Sequence, residues 1–205
     1  LALQKLGPVL VQYFGLGEVT GCITVLPAHM HAADDADPNA NIGSCGRPRT
    51  GMEVAILDAE MKPLPTGEVG EICVRGPAVF AGYHANPEAT AKALRGGWFH
   101  TGDVLFRDEA GNYYFADRKK DMIKSGGENV YCQEVESVLG THPAVLQCAV
   151  FGLPDERWGE SVTAAVILRP GVQVEEAELV AHCRDKLAGF KTPKRVFFRT
   201  SMPIS

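Results

Sequence analysis

The sequence predicts a mixed α/β and α+β fold, in which a β-rich first part is followed by a small α+β domain. Short apolar segments alternate with turns rich in Gly, Pro, Asp and Asn up to about residue 116. A charged run at residues 117–121 then contains no strongly apolar side chain. After this run, the predicted order of elements is β-α-β-β-α-β, which is typical of a two-layer domain. We therefore expect two domains, residues 1–116 and 122–205, joined by a hinge at residues 117–121.

The composition excludes several classes of function. The 205 residues are 45% hydrophobic and 22% charged, with a net charge of −5. These values are ordinary for a globular protein, and the acidic balance argues against nucleic-acid binding. No apolar stretch approaches the ~20 residues that a membrane-spanning helix needs. The six cysteines form no C-x-x-C pair, which favours reduced thiols in a cytoplasmic protein over a metal site or disulfide framework.

The first domain is predicted to consist mainly of strands. Residues 9–14 are largely apolar and lead into a glycine turn at Gly15, which predicts a buried strand with a tight turn at its end. Residues 29–49 are polar and rich in turn-forming residues, which predicts a loop. Asn86 followed by Pro87 predicts the start of one short helix. Further strands are expected at residues 53–58, 69–74, 104–107 and 113–116, the last two as a hairpin.

The second domain is predicted to combine strands with two helices. One helix is expected at residues 133–139 and the other from Glu175 to about Leu187. Leu179 and Cys183 share an apolar face of the second helix, and Gly189 is expected to end it. Strands are expected at residues 122–124, 144–151, 161–168 and 196–198.

Four clusters contain residue types that suit a nucleotide ligand. Glu18 directly follows a glycine turn, where backbone can approach a ligand closely. Asp103 follows a pair of aromatic residues, and its carboxylate could accept hydrogen bonds from a ribose diol. A basic segment at residues 117–129 contains paired glycines, and residues 190–195 combine aromatic and cationic side chains. Taken singly, each cluster has a commoner structural explanation as a turn, a solvated charge or a loop.

Together, the motifs occur in the order of a known family. GEICVRG at residues 70–76 is followed by Gly82-Tyr83, PEAT at residues 87–90, Thr101-Gly102-Asp103 and DRKKD at residues 117–121. In this order they resemble the downstream part of the adenylate-forming superfamily, which includes acyl-CoA synthetases, firefly luciferase and nonribosomal-peptide adenylation domains. The resemblance spans essentially the whole chain. Trp158 and the FKTP segment make the chain most similar to bacterial fatty-acid–CoA ligases.

The resemblance implies a two-step reaction. Enzymes of this family join a carboxylic acid to the α-phosphate of ATP with release of pyrophosphate, and the thiol of CoA then displaces AMP. The implied cofactors are ATP, Mg²⁺ and coenzyme A, and the implied substrate is a small hydrophobic or fatty acid. Residues 1–116 would be the end of the large AMP-binding domain, including a β-rich subdomain. Residues 122–205 would be the mobile lid, truncated before the catalytic lysine.

The resemblance also implies roles for single residues in the nucleotide site. Glu18 would bind Mg²⁺, a hard cation that prefers oxygen ligands. Phe14 would stack on adenine, where many relatives have Tyr. The implied contacts to ATP and AMP are Phe14, Gly15, Leu16, Asp103 and Arg118.

In the lid, the resemblance implies a hinge and a thiol-binding surface. Lys120 would be the hinge residue, and Lys124 would face the active site in the thioester-forming pose. The implied contacts to CoA are Gly126, Gly127, Trp158, Phe190 and Lys194.

Two departures from the family pattern affect the expected activity. Gly17 stands where many relatives have a Thr whose hydroxyl points to phosphate. The glycine-, serine- and threonine-rich ATP loop and the adenylation lysine are not in the 205 residues, and both ends look cut. Such preorganised groups typically carry ~10²–10³-fold in rate each. We therefore expect a fragment of a longer enzyme that forms no acyl-adenylate by itself.

Several alternatives stay open at this stage. Within enzymes, these are an aryl-acid ligase of the 4-coumarate type and a peptide-synthetase adenylation domain. From another class, a non-catalytic nucleotide-binding scaffold could use the same fold. His29 and His31 could imitate a metal site with the acidic residues that follow them, but a solvated loop is the preferred interpretation.

Overall fold

The computed structural model describes residues 2–31 and 41–203. The chain divides into two compact units, Leu1–Ala116 and Asp117–Ser205, which we call the first unit and the second unit. Among the described helices, none combines the length and the apolar character needed to cross a membrane.

The first unit is built around a seven-stranded sheet. Its strands are β1 (Gln12–Phe14), β2 (Thr24–Leu26), β3 (Ser44–Pro48), β4 (Glu53–Leu57), β5 (Gly70–Arg75), β6 (Phe99–Arg107) and β7 (Tyr113–Arg118), the last of which runs into the second unit. They lie in the order β1-β2-β3-β7-β6-β5-β4. Among the described residues of this unit, two α-helices accompany the sheet, α1 (Ala2–Leu6) and α2 (Pro87–Ala93).

The core of the first unit lies on the inner strands of this sheet. Ile72, Leu105 and Tyr113 come from three neighbouring strands and are almost fully buried. Strand β5 has neighbours on both edges, and four consecutive residues from Glu71 to Val74 are buried. The sheet is thus covered on both faces here, and one buried position is occupied by a carboxylate.

Several predictions for the first unit are confirmed. Helix α2 starts after Asn86, whose side-chain oxygen accepts a hydrogen bond from the Ala89 amide at 3.0 Å. The hairpin of β6 and β7 turns at Asp108, whose carboxylate accepts a hydrogen bond from the Asn112 amide at 2.7 Å. Strand β6 starts at Phe99, five residues earlier than expected, so the candidate carboxylate of Asp103 lies inside a strand.

Two predictions for the first unit are wrong. The apolar run at residues 9–14 is not a buried strand, because only its last residues form β1 at the edge of the sheet. Val9 and Tyr13 are 63% and 67% exposed. The predicted loop at residues 29–49 contains strand β3, and the acidic residues 34, 35 and 37 considered there lie outside the described residues.

The glycine that made β3 look like a loop has a long-range role. At Gly46 the sheet bulges, φ is +85°, and an added Cβ would lie 2.0 Å from the Val25 carbonyl oxygen. Only glycine lets the two backbones approach this closely. The residue type that signals a turn in the sequence therefore serves strand pairing here.

From residue 117 to residue 203, the second unit forms five strands and two helices. They are β8 (Ile123–Ser125), β9 (Glu128–Val130), α3 (Cys132–Gly140), β10 (Val145–Asp155), β11 (Gly159–Leu168), α4 (Glu176–Arg184) and β12 (Arg195–Phe198). The main path of the sheet is β10-β11-β8-β9, and β12 pairs with β11 in parallel. Val135 and Leu139 of α3 and Leu179 and Cys183 of α4 pack into one core with alternate residues of β11.

The expected order of elements is confirmed with one addition and one shift. Strand β9 was not expected, and it turns the basic, glycine-containing segment into a hairpin with β8. Helix α4 ends at Arg184 rather than near Leu187, so Gly189 does not end it. The apolar spacing misled here because Leu187 still packs on the core after the helix has ended.

Candidate functional site

A tight turn follows β1 at the predicted adenine-contacting segment. The Ile23 amide donates to the Phe14 carbonyl at 2.7 Å, which folds the chain back on itself. At Gly15 an added Cβ would lie 2.6 Å from the Gly21 carbonyl oxygen, so this position requires glycine. The half-buried ring of Phe14 is tilted against Phe115, with centroids 6.3 Å apart. The turn therefore keeps an aromatic face and bare backbone together.

Glu18, the predicted Mg²⁺ ligand, is anchored to the segment before α2. It lies in a 3₁₀-helix, Gly17–Val19, and its backbone carbonyl accepts from the Phe80 amide at 2.7 Å. Its Oε1 accepts a hydrogen bond from the Tyr83 hydroxyl at 2.9 Å. Burial raises the pKa of Tyr83, and the hydrogen bond to Glu18 and the charge of Glu18 raise it further. The hydroxyl therefore stays protonated and donates to the carboxylate.

The residues around Glu18 fit a hard divalent cation. Its side chain is half-buried, and Oε2 accepts no hydrogen bond from the residues that the structure describes. Mg²⁺ commonly takes one or two protein carboxylates, with substrate phosphates and water completing its shell. Gly17 leaves the adjacent space open, since an added Cβ there would meet nothing within 4 Å.

Asp103 lies on a bulge between β5 and β6. Glu71 pairs with Val104 and Cys73 pairs with His100, so the single residue Ile72 faces three residues of β6. Within the bulge, the Thr101 hydroxyl donates to the Ile72 carbonyl at 2.8 Å. The Asp103 amide donates to the same hydroxyl oxygen at 3.1 Å, and Asp103 is partly exposed. Because of the bulge, Asp103 lies outside the regular strand pairing of β5 with β6.

Phe14 and Asp103 border the same part of the first unit. Burial raises the pKa of the Cys45 thiol, the backbone at Phe115 lowers it, and the charge of Asp103 adds to the rise. Cys45 therefore lies near both the Asp103 carboxylate and Phe115, against which Phe14 packs. Phe14 and Asp103, 89 positions apart in the sequence, are thus linked through Phe115 and Cys45, and a nucleoside would use an aromatic face and a carboxylate of this kind.

Beneath the bulge lies a polar cluster that the sequence analysis missed. Glu71 Oε2 is 2.9 Å from His100 Nδ1, and Cys73 Sγ is 3.4 Å from the same nitrogen. The three groups could ligate a metal ion, since one atom of each lies within 4.8 Å of the others. However, two zinc ligands at ~2.1 Å in a tetrahedron stand about 3.4 Å apart, whereas 2.9 Å is a hydrogen-bond distance. The cluster is therefore a hydrogen-bonded network. The sequence signal that could have revealed this cluster was Glu71, a carboxylate within a mostly apolar strand.

In the second unit, the paired glycines form the turn of the β8–β9 hairpin. Gly126 and Gly127 have φ of +62° and +87°, as a type I′ turn requires. The Gly126 amide donates to the Trp158 carbonyl at 2.8 Å, and an added Cβ on Gly126 would lie 2.9 Å from the indole. At Gly127 an added Cβ would meet nothing within 4 Å. The structure places the Trp158 ring against the Cβ position of Gly126 and leaves that of Gly127 open.

Lys124 lies on the same hairpin and its side chain is exposed. Its backbone amide donates to Glu160 Oε2 at 2.7 Å, which ties the strand to β11. Trp158 is 41% exposed, and the Arg157 guanidinium lies over its ring at 4.6 Å. The Lys124 ammonium group and the open Gly127 backbone thus lie on the β8–β9 hairpin. The Trp158 ring lies beside this hairpin, directly before β11.

The predicted hinge segment is a hydrogen-bonded turn. Arg118 and Lys120 are exposed, and the Asp121 amide donates to the Arg118 carbonyl at 3.0 Å. Asp117 is buried, and its carboxylate accepts hydrogen bonds from the Arg118 and Cys132 amides. Asp117 therefore caps the start of α3, a role the sequence analysis did not assign.

The two remaining predicted residues lie on another loop of the second unit. Phe190 is 38% exposed, and the Lys191 ammonium lies 5.8 Å from its ring while pairing with Glu134 at 2.7 Å. Lys194 Nζ donates to the Gly189 carbonyl at 3.0 Å. The Lys191 and Lys194 ammonium groups therefore already have partners within the unit.

Two family models match the sequence. The model described as AMP-binding enzyme matches residues 2–84. The model described as AMP-binding enzyme C-terminal domain matches residues 134–205. Together they cover parts of both units.

Curated relatives match the chain over nearly its full length. It is 43% identical to the medium/long-chain-fatty-acid–CoA ligase FadD8 of Mycobacterium tuberculosis, over 100% of this chain and 36% of that protein. It is 45% identical to a feruloyl-CoA synthase of Amycolatopsis, over 97% of this chain and 39% of that protein. The chain therefore spans less than two fifths of the length of these two relatives.

The chain is also similar to solved structures. The amide bond synthetase McbA from Marinactinospora thermotolerans superposes with a TM-score of 0.86 at 39% identity, covering 100% of this chain and 41% of that chain. The O-succinylbenzoate CoA synthetase MenE from Bacillus subtilis, solved with ATP and a magnesium ion, superposes with a TM-score of 0.82 at 33% identity. That match covers 98% of this chain and 40% of MenE.

Proposed function

The chain belongs to the AMP-binding enzyme family, and from this membership we propose that it is the AMP- and CoA-binding part of an acid–thiol ligase. In the proposed first step, a carboxylate oxygen attacks the α-phosphorus of ATP, and pyrophosphate leaves. In the second step, the sulfur of CoA attacks the acyl carbon, the thiol proton is released, and AMP leaves. The family's cofactors ATP, Mg²⁺ and coenzyme A follow from this proposal.

In the proposed nucleotide site, the first unit binds the adenosine portion. The Phe14 ring would stack on adenine, and the Asp103 carboxylate would accept hydrogen bonds from the ribose hydroxyls. Gly15 and Leu16 would offer backbone to the base. Mg²⁺ bound at Glu18 would offset phosphate charge. Holding the ribose fixes the α-phosphate for in-line attack.

In the proposed thiol site, the second unit binds the pantetheine arm. The open face of Gly127 and the accessible part of the Trp158 ring suit a narrow, uncharged chain. Lys124, on the same hairpin, would stabilise negative charge on the acyl-adenylate during thiol attack. Lys120 would be the hinge residue, and Phe190 and Lys194 would contact the nucleotide end of CoA.

The proposed substrate is a hydrophobic, fatty carboxylic acid, and the proposed compartment is the cytoplasm. The match along the entire chain to a fatty-acid–CoA ligase supports this substrate class. The 45% identity to a feruloyl-CoA synthase favours an aryl acid as the second candidate. Thioester formation from a fatty acid and from ferulate, measured on an enzyme that carries these residues, distinguishes the two.

The observation that carries the proposal is the bulge that presents the partly exposed Asp103 carboxylate, in the same unit as the half-buried ring of Phe14. We expect Asp103→Asn to weaken AMP binding about tenfold, because a charged acceptor of two hydroxyl groups is lost. Titration calorimetry with AMP measures the effect, and Glu68→Gln, an exposed carboxylate of the same unit, is the matched control. Equal affinities of the Asp103 variant and the unmodified chain would contradict the proposed site.

A further inference from the structure

The bulge that carries Asp103 is held by a buried carboxylate. Glu71 Oε1 accepts a hydrogen bond from the Gly102 amide at 3.1 Å. Gly102 has φ of +76° and directly precedes Asp103. Since residues in a bulge lose regular ladder partners, the Gly102 amide depends on this side chain for its hydrogen bond.

The same carboxylate is anchored from its other oxygen. Glu71 Oε2 lies 2.9 Å from His100 Nδ1, and His100 Nε2 lies 3.3 Å from the Arg95 carbonyl. The His100 ring therefore spans from Glu71 to the loop before β6, and the carboxylate cannot rotate without breaking one of its bonds. Glu71 is only 8% exposed, and a buried carboxylate is costly unless it is fully paired. Its presence within an apolar strand therefore indicates a specific role.

We propose that Glu71 is a positioning residue, which holds Gly102 and thereby orients the Asp103 carboxylate toward the ribose hydroxyls of the nucleotide. This inference rests on the proposed function, since it presumes that Asp103 contacts ribose. Glu71 is buried and would act through Asp103, without contacting the nucleotide itself. The length of the side chain is the decisive property, because Oε1 must reach the Gly102 amide while Oε2 reaches His100 Nδ1.

Two conservative variants separate length from charge. Glu71→Asp keeps the charge but is one methylene shorter, so the carboxylate cannot reach both Gly102 and His100. Glu71→Gln keeps the length, and its amide oxygen can accept from Gly102 while its amide nitrogen faces the ring. We expect Glu71→Asp to weaken AMP binding about tenfold and Glu71→Gln to stay within about threefold of the unmodified chain. Glu53→Gln, an exposed carboxylate of the neighbouring strand β4, is the control.

A second ligand provides a readout that a merely structural role would not change. With 2′,3′-dideoxy-AMP, all variants should bind equally, because this nucleotide lacks the two ribose hydroxyls that Asp103 is proposed to bind. Amide hydrogen exchange at Gly102, followed by NMR without nucleotide, should be about tenfold faster in Glu71→Asp than in Glu71→Gln.

Each outcome decides the inference. Loss of AMP affinity in Glu71→Gln with retention in Glu71→Asp would overturn it, because charge would then matter instead of length. Equal losses for AMP and the dideoxy nucleotide would also overturn it, since the effect would be structural. If the unmodified chain binds the two nucleotides equally, the proposed ribose contact fails and the inferred role of Glu71 fails with it. Faster exchange at Gly102 in Glu71→Asp would then still identify the failure as that of the ribose contact.

Discussion

The two glycines of the β8–β9 turn should respond differently to the same substitution. Both have positive φ, so alanine at either position costs about 1–2 kcal/mol of backbone strain. At Gly126 the added methyl group would also lie 2.9 Å from the Trp158 ring, whereas at Gly127 it would meet nothing within 4 Å. Because Trp158 is partly exposed and can shift, the clash should add about 1 kcal/mol, the low end of overpacking costs. The loss of unfolded-state entropy is the same for both variants and cancels in the difference.

The assay is urea unfolding of the second unit, followed by NMR through the buried amides of β11. Gly126→Ala should lower the free energy of unfolding by about 1 kcal/mol more than Gly127→Ala. In a Trp158→Ala background this difference should vanish, because no ring remains to clash. Equal costs of the two alanines in the unmodified chain, or a difference that persists without the indole, would refute the packing described here.

Gly17→Thr should fold normally, because an added Cβ would meet nothing within 4 Å. It should bind ATP about threefold more tightly, because its hydroxyl can donate a hydrogen bond to phosphate. Calorimetry with ATP measures this, and weaker ATP binding would contradict it. Gly15→Ala, whose Cβ would meet the Gly21 carbonyl oxygen at 2.6 Å, should instead destabilise the first unit by about 1–3 kcal/mol in the same unfolding assay. Burial and then the charge of Asp117 raise the pKa of Cys132 from 9.0 to about 12, so at pH 8 its thiolate fraction is far below that of a free thiol. Its alkylation rate, followed by mass spectrometry, should keep rising above pH 9, and a plateau near pH 9 would contradict the raised pKa.

Local sequence signals were sufficient to predict the structural features that depend on residues close together along the chain. Asn86 caps α2 and Asp108 closes a hairpin through bonds that span only three or four residues. The motif order was likewise enough to indicate the family. In the helix cap and in the hairpin, the residues that make the feature are close in sequence.

The remaining features depend on contacts that the sequence separates widely. Gly46 serves a close approach to Val25, so its type suggested a loop and concealed β3. Glu71 and His100 meet only because β5 and β6 pair with a bulge, and no pattern in either segment encodes that register. The contact of Trp158 with Gly126 arises in the same way, from the pairing of β8 with β11. Sequence reasoning found these residue types but not their partners.

Mapping two ligands on one chain tests the account most directly. In amide NMR titrations, AMP should shift resonances around Phe14 and Asp103, and CoA should shift those around Gly127 and Trp158. The account predicts two separate sets of affected residues, one in each unit. If neither set of resonances shifts, or if AMP shifts resonances only in the second unit, the proposed assignment of AMP to the first unit and CoA to the second is contradicted.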